Sequence, residues 1–199
     1  MSREVTSVLR GIAAHGLPGS TCELPPRPLA PPSWQELLFR ARTERLTGLL
    51  THAVADGSLP ATEVQAGQAA DLHNRALASN LLLENTLLSV TQGLHEAGIT
   101  VRVLKGSAVA HLDYEDPALR SFGDVDLLVR PEDFDYAIAT LKARGGRRRF
   151  PEPRPGFDRR FTKSVSLVTS DGDEIDMHRT LSPGSFGLRV RISDLWLHP

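Results

Sequence analysis

Cysteine is almost absent from the chain. Cys22 is the single one, which excludes an internal disulfide framework, and no His/Cys cluster has the spacing of a zinc-ligand set. Long apolar runs are missing as well. Nowhere do about 18 apolar residues follow one another, and the N-terminal stretch MSREVTSVLRGIAAHG lacks the apolar core of a signal peptide. These absences lead us to expect a soluble, cytoplasmic protein with no membrane partner. Nor is there an excess of one charge. The 23 Lys and Arg stand against 24 Asp and Glu, for a net charge of -1, so any electrostatic preference must be local. What remains is 199 residues, 40% of them hydrophobic, enough for one sizeable core or for one domain with an appendage.

Residues 17–33 carry Pro18, Pro25, Pro26, Pro28, Pro31 and Pro32. Proline lacks a backbone donor and fixes φ, so this stretch reads as an extended linker or strap, with a proline-motif ligand as the other reading. Ser33 with Glu36 has the form of a capping box, and Trp34, Leu37, Leu38, Ala41, Leu46, Leu49 and Leu50 supply the stripe of a helix ending near Asp56-Gly57. A second capping pattern, Thr62 with Gln65, opens a longer helix, in which Leu83, Leu87, Val90 and Leu94 recur at spacings of four, three and four. Gly98 stops it. His73 and His95 read as ordinary surface residues of that helix.

Beyond Gly98 the texture changes. ITVRVL is a short β-branched strand that runs into a tight turn and the helix KGSAVAHL. DVDLLV is a second strand. PEDFDYAIATLKARGG follows as a helix, with Pro131 at its first position and Gly145 at its end. RRFTKSVSLVTS and DEIDMHR read as two strands joined through Ser170-Asp171-Gly172. We expect an α+β fold with a mixed β-sheet and flanking helices, preceded by an N-terminal helical region. The expected divisions are residues 1–33, an N-terminal segment and proline-rich linker; 34–98, a helical region; and 99–199, an α/β domain.

Asp124 and Asp126 stand at the mouth of the second strand. Residues i and i+2 of a strand share a face, with Cα atoms roughly 6.5 to 7 Å apart, so both carboxylates project together while Val125, Leu127 and Val129 pack on the other side. Such a pair repels itself unless a divalent cation sits between the two groups. Oxygen-only ligands suit Mg2+ or Mn2+. Asp176 follows the same logic, because it alternates with Ile175 and Met177. Three carboxylates on adjacent strands suit two cations and an in-line phosphoryl displacement. Gly106 and Ser107 offer a phosphate cradle at the start of a helix, with Lys105 and Arg120 as possible added charge.

The order strand, Gly-Ser, helix, strand with Asp-x-Asp, helix, and a later strand with a single Asp resembles the nucleotidyltransferase superfamily of the DNA polymerase β type. VLKGSAVAHL, LRSFGDVDLLVRPEDFDYAIATLKARGG and EIDMHRTL look more closely like an uncharacterised bacterial nucleotidyltransferase-like family, over roughly Thr100 to Leu181. The resemblance implies that Gly106 and Ser107 hold a triphosphate, that Asp124 and Asp126 ligate the cations, and that Asp176 completes the site and helps to deprotonate an acceptor hydroxyl. Similar proteins commonly continue into a helical region after a D-L-W segment, which here is expected to be short or missing.

The expected activity is two-metal transfer of a nucleoside monophosphate from an NTP to an unknown acceptor, whether a small molecule, a peptide or a protein. The long spacer from Ser107 to Asp124 and the proline strap motivate another class, a catalytically silent module that binds a nucleotide or a peptide. Between Lys142 and Arg160 a run of eight basic residues meets only Glu152 and Asp158. It reads as a solvated helix end, as a contact to substrate phosphates, or as a surface for RNA or an acidic peptide, the RNA reading being that of a toxin-like RNA-modifying enzyme. Only Phe150, Phe157 and Phe161 interleave with it, so no base-stacking surface is inferred. His178 stays open between orienting Asp176, contacting a phosphate and having no role.

Overall fold

Val5, Val8, Leu9 and Ile12 recur at helical spacing, and in the computed structural model they are the buried stripe of α1 (Arg3–Ala13). The structure describes residues 2–182 and 192–196. The stretch after the D-L-W segment, where a helical region was expected to be short or missing, lies outside them. The chain divides into two compact units: one holds the residues up to Leu81 together with Val109–Phe122, the other Leu82–Ala108 together with the chain from Gly123 onward.

In the first unit, α1 packs with α2 (Pro31–Thr43) and α3 (Thr47–Ala55) around Trp34, Leu37, Leu50 and Ala53. The proline strap joins this core. Leu29 is buried, its carbonyl accepts from Gln65 Nε2 at 2.8 Å, and Leu24 comes so close to Gly11 that a Cβ there would stand 2.6 Å from Leu24 Cδ2. The capping box expected at Ser33 does not form. α2 starts three residues earlier, at Pro31, because proline at the first helical position gives up a donor that has no partner there in any case. Ser33 Oγ instead donates to Glu4 at 2.8 Å, and Glu36 accepts from the Ser2 backbone N–H at 3.3 Å. The helix expected to run to Asp56 is also two helices. Arg45 takes a left-handed conformation (φ 60°), and the Leu46 N–H turns back to the Ala41 carbonyl at 2.7 Å, closing α2 before α3 begins.

The next helix, α4 (Glu63–Glu96), begins as the sequence leads one to expect. The Thr62 backbone N–H donates to Gln65 Oε1 at 3.0 Å and the Gln65 N–H to Thr62 Oγ1 at 3.2 Å, a reciprocal capping box. At its far end Gly98 (φ 75°) lets the chain turn, with the Ile99 N–H bonded to the Leu94 carbonyl at 2.9 Å.

The second unit is built on a mixed five-stranded sheet in the order β1-β2-β5-β4-β3. Its strands are β1 (Val101–Leu104), β2 (Val125–Val129), β3 (Arg147–Arg148), β4 (Ser164–Val168) and β5 (Glu174–His178). β2 and β5 pair in parallel and the other neighbours antiparallel. Alternation gives this sheet two different faces. Leu127, Met177 and Val165 lie side by side on one face, as do Val125, Ile175 and Leu167. Leu141 of α6 (Phe134–Ala143) and Val90 of α4 line a cavity together with Leu167 and Ile175, so these helices cover that apolar face. α6 starts three residues later than expected. Pro131 stands in the turn before it and Asp133 is the N-cap.

Candidate active site

The other face of the sheet carries polar side chains across β1, β2, β5 and β4. Pairing aligns Leu104, Asp126, Asp176 and Ser166 in one row, and Arg102, Leu128, His178 and Ser164 in the next. Asp126 and Asp176 are thus direct neighbours on the parallel strands β2 and β5, with side chains on the same face. One carboxylate oxygen from each and a ring nitrogen of His178 lie within 4.8 Å of one another.

Asp126 is 3% exposed and His178 1%, and burying an ionised carboxylate is unfavourable unless it is paired. The pairing is present. His178 Nε2 lies 2.7 Å from Asp126 Oδ1, and Lys105 Nζ makes an ion pair with the same oxygen. Burial by itself raises the Asp126 pKa; the hydrogen bonds and charges of His178 and Lys105 outweigh it and hold the group below the usual carboxylate value. Because Asp126 is therefore an anion, Nε2 carries the proton in this contact. His178 Nδ1 is buried without a hydrogen-bond partner among the described residues, and in the neutral ring it is a bare lone pair. A ring whose Nε2 is protonated acts as a positioning group for the carboxylate. The sequence had left open an orienting role toward Asp176; the structure gives that contact to Asp126 instead. Asp176 has its own partner, Ser166 Oγ, which donates to its Oδ1 at 2.5 Å.

Asp124 stands one residue before β2 begins, half-buried, and takes no part in the three-residue group around Asp126. Both aspartates were expected as strand residues; only Asp126 is one. Gly106 and Ser107 are the first residues of α5 (Gly106–Asp113), directly after β1. The strained residue of that strand-to-helix turn is Lys105 (φ 49°), whereas Gly106 has no positive φ. Arg120 belongs to the first unit, where its carbonyl accepts from Asn80 Nδ2 at 2.9 Å.

Much of the basic run is engaged within its own unit. Arg144 pairs with Glu96 at 3.2 Å, Arg148 pairs with Asp158, and Arg149 with Glu174. Arg154 lies over the rings of Phe157 and Phe161. These partners favour the reading of a folded, solvated surface.

Family membership now follows from a match along the chain. The sequence pattern of a family of uncharacterised nucleotidyltransferases matches residues 30–199. The chain belongs to that family. No curated protein and no solved structure matches it. Membership implies nucleotidyl transfer and a nucleoside triphosphate as substrate. The donor set fits the divalent cation such transfer generally uses, since two in-register carboxylates supply hard oxygen ligands and lose their mutual repulsion when a cation binds. Among the described residues no helix is long and apolar enough to cross a membrane.

Proposed function

We propose that the protein is a divalent-cation-dependent nucleotidyltransferase that moves a nucleoside monophosphate from an NTP to an acceptor hydroxyl. The observation that carries this reading is the register of Asp126 beside Asp176 on adjacent parallel strands. Asp126 and Asp176 hold magnesium or manganese, with Asp124 as a further ligand from the chain just before the strand. The bound cation supplies charge neutralisation for the phosphates and for the leaving pyrophosphate. The acceptor oxygen forms a bond to the α-phosphorus as the bond from that phosphorus to the α,β-bridging oxygen breaks. Pyrophosphate leaves with that electron pair. Asp176, half-exposed beside Ser166, accepts the acceptor's proton. Gly106 and Ser107 present backbone N–H groups and a hydroxyl to the triphosphate at the start of α5. Lys105, half-exposed and held at the same turn, moves its ammonium from Asp126 to a phosphate oxygen when the nucleotide enters. His178 keeps Asp126 in one orientation throughout.

Incubating the protein with each labelled NTP, Mg2+ or Mn2+, and a cell extract as the source of acceptor tests the reading. Label is expected on an acceptor, and Asp126→Asn or Asp176→Asn is expected to lower the transfer by about 100-fold or more. Transfer by neither cation with any NTP, or transfer undiminished in both variants, would sink it.

A further inference from the structure

A second group of metal-competent side chains stands in the first unit, whereas every residue of the proposed transfer site belongs to the second. His15 follows α1, while His52 and Asp56 come from the last turn of α3 and its C-cap. The i,i+4 spacing of His52 and Asp56 puts both on one side of α3, and the packing of α1 against α3 brings in His15 from 41 residues away. His15 Nε2 lies 2.6 Å from Asp56 Oδ2, and His52 Nε2 lies 3.8 Å from the same oxygen. One ligand atom from each of the three residues falls within 4.8 Å of the other two. The carboxylate is also fixed from behind. The Ser58 backbone N–H donates to Asp56 Oδ1 at 2.9 Å, so Oδ2 is the oxygen turned to the two imidazoles.

The donor chemistry differs from that of the sheet. Two imidazole nitrogens and one carboxylate oxygen suit a borderline transition metal rather than magnesium. Bonds of about 2.0 to 2.1 Å in a tetrahedral shell separate neighbouring ligand atoms by about 3.3 Å. That value lies between the two separations from Asp56 Oδ2, 2.6 and 3.8 Å, so small side-chain rotations suffice. The side chains of His52 and Asp56 are 53% and 35% exposed, which leaves the cation a path from solvent. Beneath them Ile12, Leu50 and Ala53 are fully buried and hold the two helices in place.

We propose that His15 Nε2, His52 Nε2 and Asp56 Oδ2 bind one divalent transition-metal cation of the zinc type, with water completing its shell. The cation fastens the end of α1 to the end of α3. His15 precedes the segment that the family pattern matches, residues 30–199, so this clip is a property of the chain beyond its family membership. It is independent of nucleotide transfer.

The test is calorimetric titration of the chelator-treated full chain with ZnCl2, together with the visible d–d spectrum of the Co2+ form and a thermal melt with and without zinc. One equivalent of zinc is expected at the cluster, with a higher Tm in zinc than in the same concentration of MgCl2. His15→Ala and His52→Ala are each expected to weaken that binding by about tenfold or more. The His52 side chain is 53% exposed and that of His15 23%, and a melt of the metal-free variants checks that both still fold. The Asp126→Asn, Asp176→Asn double variant is expected to keep the zinc equivalent, which separates this site from the transfer site. Zinc binding only on the order of millimolar, or zinc binding lost in the Asp126/Asp176 variant and retained in the His15/His52 variants, would overturn the proposal.

Discussion

Asp126 and Asp56 are both carboxylates held by a histidine, at 2.7 and 2.6 Å, yet one is sealed in a sheet and the other stands on the surface of a helical unit. Both have lowered pKa values. For Asp56 the value is about 2: burial works against ionisation, and the Ser58 backbone N–H and His15 outweigh it. The difference lies in what each group would lose. Water can replace the partners of Asp56, whereas nothing replaces His178 and Lys105 for a carboxylate that is 3% exposed. A buried acid with two donors on one oxygen is a preorganised ligand; an exposed acid with two imidazoles is an adaptable one.

The sharpest way to break this comparison is to delete each acid in turn. Asp126→Ala leaves His178 buried without its partner and is expected to cost roughly 3 kcal/mol in urea unfolding. Asp56→Ala, measured in chelator, is expected to cost under about 1 kcal/mol. Equal losses would show that burial does not separate the two sites. Acid titration adds the sign. A carboxylate whose folded pKa lies below the unfolded value of 3.8 stabilises the fold fully above that value and loses its contribution as pH falls through the folded pKa. Removing either acid is therefore expected to flatten the acid limb of the stability curve below about pH 4.

A substitution with no charge at all probes the helical unit itself. A Cβ on Gly48 of α3 would stand 2.5 Å from the Cα of Leu119 and 2.6 Å from its carbonyl oxygen. Backbone cannot swing aside as a side chain does. Gly48→Ala is expected to lower stability by about 2 kcal/mol while leaving the cation binding proposed for Asp126 and Asp176 intact. Magnesium or manganese titration of the variant, beside its urea curve, checks both halves.

The same contrast explains what the sequence made legible. Alternation within RRFTKSVSLVTS and DEIDMHR foretold β4, β5 and the turn at Gly172 (φ 95°), because a period of two is a local property, but the expected strand began too early: Arg159–Phe161 end a short helix, Phe157–Phe161. The apolar stripe Leu83, Leu87, Val90 and Leu94 of α4 is likewise buried as its spacing requires. The break at Arg45 was hidden, since a left-handed arginine has no marker comparable to glycine. α1 was missed: Val5, Val8, Leu9 and Ile12 carry helical spacing, but the N-terminal stretch was read only for a signal-peptide core and grouped with the proline-rich linker. Within the candidate site, Asp126 and Asp176 stood out by residue type. The contact of His178 with Asp126 depends on the parallel register of β2 and β5, and the meeting of His15 with His52 and Asp56 depends on helix packing. Neither can be read from spacing.

A capping bond tests a feature legible at both levels. At the start of α4, the Thr62 hydroxyl accepts from the Gln65 N–H at 3.2 Å and the Gln65 side chain returns the bond at 3.0 Å. Gln65 also donates through Nε2 to the Leu29 carbonyl at 2.8 Å, so it ties the proline strap as well as the helix. Thr62→Ala removes one capping bond and is expected to cost about 1 kcal/mol. Gln65→Ala removes the returning bond and strands the buried Leu29 carbonyl, so its loss is expected to exceed that of Thr62→Ala by about 1 kcal/mol. Urea curves of the two variants and of their double mutant separate the parts. If the strap were held only by its prolines, the two single substitutions would cost the same, and proteolysis between Leu24 and Pro32 would not quicken in Gln65→Ala.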